Sequence, residues 1–308
     1  MKRTEPFGYY PGCSGMGTSA EYDRSTRALA AALGLPLKDI EDWSCCGSTP
    51  AHTIDHALST ALSARNFVQA EKQGLKDLLT PCPSCLKNLR TALHRVKEPH
   101  LGPKVTKLLG GDVVADGHSV KSVLQVIHED IDRAEIVKKI KRPLNTLKVV
   151  PYYGCLMSRP AELMHFGDPE NPMAMDDLLA AAGATVLPFP LKVECCGASM
   201  GIPINEAVTR QSGKIVGLAD SLGADVIAVA CPLCQMNLDM RQSQINRAHK
   251  TNYKIPVMYY SQLLGIALGI PEKELGLNKL IVSPQPVLDK LAALRGAAAI
   301  AVQTEGAA

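Results

Sequence analysis

All ten cysteines of this 308-residue chain fall into one pattern written twice: a single Cys, then Cys-Cys-Gly, then Cys-x-x-Cys. The first copy is Cys13, Cys45-Cys46-Gly47 and Cys82-Pro-Ser-Cys85. The second is Cys155, Cys195-Cys196-Gly197 and Cys231-Pro-Leu-Cys234. The intervals are 31 and 35 residues in the first copy and 39 and 34 in the second. The repeat extends past sulfur, since Gly74 and Gly223 each stand eight residues before the Cys-x-x-Cys, and Asn88-Leu89 and Asn237-Leu238 follow it at matching offsets. Self-similarity of this kind marks one structural unit used twice.

The length divides into halves of about 150 residues, the usual size for a single hydrophobic core. Domains are therefore expected at 1–145, including a bridging helical segment, and at 146–308, including a C-terminal helical tail. The net charge is only +3 and no Lys/Arg run occurs, so there is no electrostatic footprint for nucleic acid or anionic lipid. The segment Met1-Lys2-Arg3-Thr4-Glu5-Pro6 lacks the apolar stretch of a secretory signal, which points to a cytoplasmic protein. No apolar run approaches the roughly 18 to 20 residues that span a bilayer, and membrane contact would need another subunit. Cysteine makes up about 3% of the chain, too little for a disulfide-stapled scaffold. In a reducing compartment, fixed spacings point instead to metal or redox chemistry.

Each half reads as alternating strands and helices. Residues 6 to 12 form a short strand ending in Pro-Gly, and Thr18-x-x-Glu21 offers a capping box for a following helix. Tyr22, Thr26, Leu29, Ala30 and Leu33 recur at helical intervals, with Gly34 as the left-handed stop. In the second half Val149 to Tyr153 is the strand and Ala174 to Ala182 the helix, closed by Gly183. Between them lies an insertion, Ser158 to Pro172, whose loop composition is expected to shape one site differently from the other. A helix and a short apolar strand precede each Cys-x-x-Cys: Ala57 to Gly74 with Leu75 to Leu79, and Val208 to Gly223 with Val226 to Val229. His118 to Lys141 reads as one long helix bridging the halves. The tail carries helical spacing at Val287, Leu288, Leu291 and Leu294, and its last residues, Gln303 to Ala308, are expected to be mobile. Such alternation favours an α/β fold with parallel sheets, whose sites form at the carboxyl ends of the strands.

Five thiols per half exceed the four of a structural zinc site. They also exceed the four of a cubane [4Fe-4S] cluster, so the fifth invites a bridged or opened cluster. The histidines His52, His56, His118 and His165 have no motif of their own, and the bland reading of each is preferred. His165 and Arg159 stand beside Cys155 in the insertion, where an arginine can hold a carboxylate or phosphate. Gly15-Met-Gly17-Thr-Ser-Ala20 fits a dinucleotide fingerprint. The second half has Leu156-Met157 after its Gly-Cys, so that fingerprint is read as a decoy.

The chain resembles the B subunit of heterodisulfide reductase over nearly its full length, and both halves look like the cysteine-rich CCG domain. Beyond the cysteines the resemblance rests on Tyr9-Tyr10-Pro11-Gly12-Cys13, Trp43-Ser-Cys-Cys-Gly47, Tyr152-Tyr-Gly-Cys155, Lys192-x-x-Cys195-Cys-Gly197 and Gln262-Leu-Leu-Gly-x-Ala-Leu-Gly269. It implies two tandem Rossmann-like domains, each holding a noncubane [4Fe-4S] cluster, with the clusters facing one another across a substrate disulfide. Carried over by position, Cys13, Cys45, Cys46, Cys82 and Cys85 bind the first cluster, and Cys155, Cys195, Cys196, Cys231 and Cys234 the second. It also implies two electron-donating partners, a ferredoxin-like iron-sulfur subunit (the C subunit of such complexes) and a flavin subunit (the A subunit), since this chain lacks a CxxCxxCxxxCP run. The substrate would be a disulfide or dithiol, with protein-bound lipoate a candidate in a bacterial or sulfur-oxidation setting. Two other readings stand beside this one: zinc in one half, and an electron-transfer subunit without disulfide chemistry, as in CCG proteins of flavin dehydrogenase systems.

Overall fold

The computed structural model describes residues 5–201 and 203–293. The duplication is visible in the sheets. Each half contains four parallel strands in the same order: β2-β1-β3-β4 in the first and β6-β5-β7-β8 in the second. The first sheet comprises β1 Phe7–Tyr9, β2 Leu37–Asp39, β3 Asp77–Thr80 and β4 Ser119–Ser122. The second comprises β5 Lys148–Tyr152, β6 Thr185–Val186, β7 Val226–Val229 and β8 Val257–Tyr259. β3 and β7 are short and almost wholly buried, as strands covered by helices on both faces should be.

This order decides where a site can form. From β1 the chain moves outward to β2, then crosses back to β3 on the other side. The helices leaving β1 and β3 therefore diverge and open a crevice at the carboxyl ends of those strands. Cys13 follows β1 and Cys82 follows β3. Cys155 and Cys231 occupy the same places after β5 and β7.

The two halves share their core. The largest apolar cluster joins Tyr9, Tyr22, Leu29, Val123 and Ile127 of the first half to Val149, Val229, Tyr259 and Leu263 of the second. The ring of Tyr22 stacks on that of Tyr259 with centroids 3.9 Å apart, and Ser25 Oγ lies 2.7 Å from Ser261 Oγ. Both pairs join the Ala20–Leu33 helix to the β8 and Tyr260–Ala267 segment.

Two elements differ from expectation. Residues 118–141 are not one helix: they form β4, then helices Val123–Glu129 and Arg133–Lys138. Val120 is spent on the sheet, where Leu78 pairs with it. The Ser122 and Asp132 side chains cap the two helices by accepting from Gln125 N and Ala134 N, each at 2.9 Å. The segment does bridge the halves, through buried Val123, Val126 and Ile127 and through His128 and Arg133 on Asp177. The Thr18-x-x-Glu21 box does not form either. The helix begins at Ala20 after Ser19, with no side-chain cap, and Glu21 is buried.

The insertion takes part in both halves. Ser158 to Pro172 reaches over the first half rather than lying only on its own. Its Met164 is buried among Tyr10, Cys46, Cys82 and Cys85. Arg90, on the helix that follows Cys82, donates to the carbonyls of Leu163, Met164 and Val120 and to Gln125 Oε1. Burial lowers its pKa. In the tail, Val287 and Leu291 are buried on a helix spanning 285–293; Leu294 and the last residues, expected to be mobile, lie outside the described residues.

A guanidinium donating to four oxygens across the two halves should be a main fastening. Hydrogen bonds from charged groups are worth about 1.5–3 kcal/mol each, less what water supplies in exchange. Arg90→Met is expected to lower unfolding free energy by about 2–4 kcal/mol in a urea titration. A change below about 1 kcal/mol would show that the insertion holds the halves together by other means.

Candidate metal and redox centre

All ten cysteines are free thiols, and in each half they gather at the crevice. The Cys-x-x-Cys comes together through helix geometry. Cys82 and Cys231 are the N-cap residues of helices Pro83–Arg95 and Pro232–Asp239, each with proline at its first position. The second cysteine then falls in the first turn, and the unsatisfied N–H groups of that turn face the N-cap sulfur, where they favour a thiolate. Cys82 is lowered below the usual thiol range by its hydrogen bond with Cys85 first, then by the amides of Cys85 and Ser84, against the cost of burial.

The Cys-Cys-Gly bend brings the remaining sulfurs in. Gly47 and Gly197 have φ of 80° and 95°. A Cβ on Gly47 would lie 2.7 Å from Ala51 Cβ, and one on Gly197 would lie 2.9 Å from Val208 Cα, so only glycine fits there. Cys46 Sγ then approaches Cys85 Sγ at 3.6 Å, and Cys196 Sγ approaches Cys234 Sγ at 3.7 Å. Gly12 and Gly154, each just before a single cysteine, make room for the sulfur of the last one. Their φ is 71°, and a Cβ would stand 2.9 Å from Cys85 Sγ or 2.7 Å from Cys234 Sγ.

Matched polar groups hold each row. Tyr10 and Tyr152 donate to the carbonyls of Ser44 and Glu194, each at 2.7 Å. Ser63 and Ser212 donate to the carbonyls of Cys46 and Cys196. Asn88 and Asn237 donate to the sulfurs and carbonyls of the same two cysteines. In the second half only, the carbonyl of Lys192 accepts from Tyr153 N and Gly154 N, and its ammonium pairs with Asp176 Oδ1 at 2.8 Å. Both side chains are more than nine-tenths buried. Removing one partner of such a pair costs about 3–5 kcal/mol.

The thiols share protons along each row. Cys46 is pushed down to about 3, chiefly by hydrogen bonds from Cys45 and Cys85, with Ser48 N and Asn88 adding to them against the cost of burial. Cys45, on the donating side, is raised. In the second half Cys195 falls to about 6 through its bond with Cys155, which is itself raised. Cys196 falls to about 7 through Cys234, with Asn237 and Ala198 N adding. Cys85 and Cys234, as buried donors, are raised.

Access differs along each row. Cys46, Cys82, Cys85, Cys196, Cys231 and Cys234 are buried. Cys13 and Cys45 are exposed, and Cys155 and Cys195 half-buried. A sulfur–sulfur distance of 3.6 to 3.7 Å suits two thiolates on one tetrahedral ion with bonds of about 2.3 Å. Among the described residues, no three Cys, His, Asp or Glu side chains converge on a single-ion site. The donor set is soft, extended along a row, and open at one end. It fits a group with several irons better than a closed cage around one ion.

Tyr22 joins the two rows. Its buried hydroxyl lies 3.1 Å from both the Pro81 carbonyl and the Ala230 carbonyl, the residues immediately before Cys82 and Cys231. The two Cys-x-x-Cys turns thus meet at a single oxygen atom. Nothing in the cysteine repeat signals this residue, because the second half has no counterpart to it in that role.

None of the four histidines bonds to a cysteine among the described residues. His52 Nδ1 meets the Ser48 carbonyl, His56 meets Arg95, and His118 Nδ1 meets the Lys76 carbonyl. His165 is exposed, and its carbonyl accepts from Gln125. Arg159 pairs with Glu170 inside the insertion. Sequence reasoning quotes Tyr10, Gly12, Tyr152 and Gly154 only as flanks of the cysteine motifs, and it misses the Ser63/Ser212 pair, which stands at the same offset before each Cys-x-x-Cys.

A family model described as a cysteine-rich domain, CCG, matches residues 7–90 and 149–239. The 8-methylmenaquinol:fumarate reductase membrane anchor subunit of Wolinella succinogenes is 35% identical over 277 residues, which is 90% of this chain and 96% of the relative. The B subunit of the ferredoxin/F420H2-dependent CoB-CoM heterodisulfide reductase of Methanosarcina acetivorans is 30% identical over 276 residues, covering 87% of this chain and 91% of the relative. Among solved structures, a hypothetical protein from Helicobacter pylori superposes with a TM-score of 0.71 at 14% identity over 91% of this chain. The chain spans about half the length of that protein, 52%, and the likeness concerns the fold. Among the described residues, no helix is long and apolar enough to cross a membrane.

The close approach of sulfur to glycine gives a test. Gly12→Ala and Gly154→Ala meet both the positive φ and the sulfur, while Gly34→Ala has φ of 78° with nothing within 4 Å. Positive φ alone costs about 1 kcal/mol. The two site variants are expected to lose roughly 1–3 kcal/mol more than Gly34→Ala in thermal or urea unfolding. Equal losses at all three positions would show that the sulfurs are not tightly held.

Proposed function

We propose, for a chain that belongs to the cysteine-rich CCG family and is built like the B subunit of heterodisulfide reductase, that each half holds a noncubane [4Fe-4S] cluster. The pair of centres would reduce a disulfide, or oxidise two thiols in reverse, in one-electron steps. In this reading Cys13, Cys45, Cys46, Cys82 and Cys85 hold one cluster, and Cys155, Cys195, Cys196, Cys231 and Cys234 the other. The observation that carries it is the pair of matched five-thiol rows, whose Cys-x-x-Cys turns share the Tyr22 hydroxyl through the carbonyls of Pro81 and Ala230. Splitting a disulfide takes two electrons, and such clusters supply them singly.

The chain's own groups divide the work. The buried Cys-x-x-Cys turns and the Asn88 and Asn237 amides fix the inner end of each row. The outer cysteines, Cys13 and Cys45 on one side and Cys155 and Cys195 on the other, leave each site reachable by a substrate sulfur. Electrons would enter from a ferredoxin-like iron-sulfur subunit fed by a flavin subunit, and the substrate class is a small disulfide or a protein-bound lipoate. The names of two relatives, ferredoxin-linked CoB-CoM heterodisulfide reductases, support the ferredoxin-type donor and the disulfide substrate.

A second reading has its own support. The 35% identical relative is named for a menaquinol:fumarate reductase, which favours an electron-transfer subunit without disulfide chemistry. The two are told apart by turnover: anaerobic chain carrying its clusters, with reduced viologen as donor and lipoamide or an alkyl disulfide as acceptor. The first reading predicts thiol production, lowered at least about tenfold in Cys195→Ser. Full iron content with no turnover of any disulfide or dithiol would hand the chain to the second.

A further inference from the structure

The two rows differ in what stands behind the asparagine. In the second half, Asn237 Nδ2 donates to Cys196 Sγ at 3.4 Å, to the Cys196 carbonyl at 3.4 Å and to the Ala198 carbonyl at 2.9 Å. Its Oδ1 accepts from Arg241 Nε at 3.2 Å. Arg241 Nη1 in turn donates to Asn205 Oδ1 at 2.9 Å and Gln244 Oε1 at 3.0 Å. All three acceptors are neutral amide oxygens, and among the described residues Arg241 forms no ion pair. Its guanidinium rests against the Ala198–Gly201 turn that follows Cys-Cys-Gly. A Cβ on Gly201 would lie 2.8 Å from Arg241 Cζ and closer still to Nη2.

The first half supplies an internal control. Arg241 stands seven residues after Cys234, and Ala92 stands seven after Cys85. Gly201 stands five residues after Cys196, and Ala51 stands five after Cys46. The arginine and the glycine that makes room for it are thus replaced together by two alanines. Ala92 packs with Ala61, Ala64 and Val105. Lys87 and Arg95 line a small hollow of about 30 Å³ beside Asn88, yet neither bonds to it. Asn88 reaches Cys46 Sγ only at 3.7 Å.

A hydrogen bond or positive charge close to a cluster's sulfurs favours its more negative, reduced form and raises its reduction potential. An uncompensated guanidinium polarises the Asn237 amide toward the Cys196 sulfur in just this sense. We propose that Arg241, acting through Asn237, is a positioning residue that makes the second sulfur site the more readily reduced of the two. The inference rests on the cluster reading above. Its consequence is an order: the first electron settles in the second half, and the first half takes the next.

The test is a redox titration of the whole chain, anaerobically loaded with iron and sulfide and followed by electron paramagnetic resonance. Wild type is expected to show two midpoints. Arg241→Gln and the double variant Gly201→Ala/Arg241→Ala, which copies the first half, should lower the higher midpoint and leave the other in place, with iron content unchanged. Arg241→Lys, which keeps the charge, should stay nearer wild type than Arg241→Gln. Full iron with an unmoved higher midpoint, or an equal shift in both centres, overturns this proposal alone. So does loss of half the iron in Arg241→Gln, which would make the arginine a structural support. A wild-type chain that binds no iron overturns the cluster reading, and this inference with it.

Discussion

The architecture turns on sulfur lying against glycine. In each half the last cysteine of the row occupies the space a side chain would need on the residue before the first one, Gly12 or Gly154. That contact fixes the distance between the turn after the first central strand and the helix after the second. The rest follows from it. Cys-Cys-Gly must bend through a positive φ to bring Cys46 and Cys196 onto the same sulfurs, and Asn88 and Asn237 must fall one turn down the helix to meet them.

Parallel sheets with the order 2-1-3-4 place these turns side by side without strain, because the crevice opens where the chain reverses direction across the sheet. Doubling the unit adds a second requirement, a fixed relation between the two crevices. The chain meets it with a shared core, the Tyr22 hydroxyl between the two Cys-x-x-Cys turns, and Arg90 gripping the insertion of the other half. A tyrosine buried at the seam and a guanidinium donating to four oxygens are costly to order. Their placement beside the cysteines, rather than at the far ends of the sheets, ties the stability of the interface to the geometry of the sites.

Much of this is legible in the sequence because the duplication reads twice. The strand before each Cys-x-x-Cys, the helices closed by Gly34 and Gly183, and the asparagine six residues after Cys82 and Cys231 all follow from matched offsets. What fails lies away from the cysteine offsets. Residues 118–141 look helical by spacing, yet a parallel neighbour for β3 claims Ser119–Ser122, a tertiary demand that periodicity does not carry. The contact of the Ser158–Pro172 insertion with Arg90 depends on how the halves dock. Tyr22 reads only as one apolar position of an amphipathic helix, and its hydroxyl's two partners are distant in sequence. Arg241 is invisible for the opposite reason: its meaning lies in the difference between the halves, and only the contact with Asn237 reveals it.

Two multi-iron centres, one per row, are the claim on which the functional account stands. The direct measurement is the iron, acid-labile sulfide and zinc content of the anaerobically purified chain. The account predicts about eight irons with matching sulfide and no zinc. About four irons with one zinc would contradict it by reducing one half to a structural role, and a folded, active chain without iron would contradict it outright.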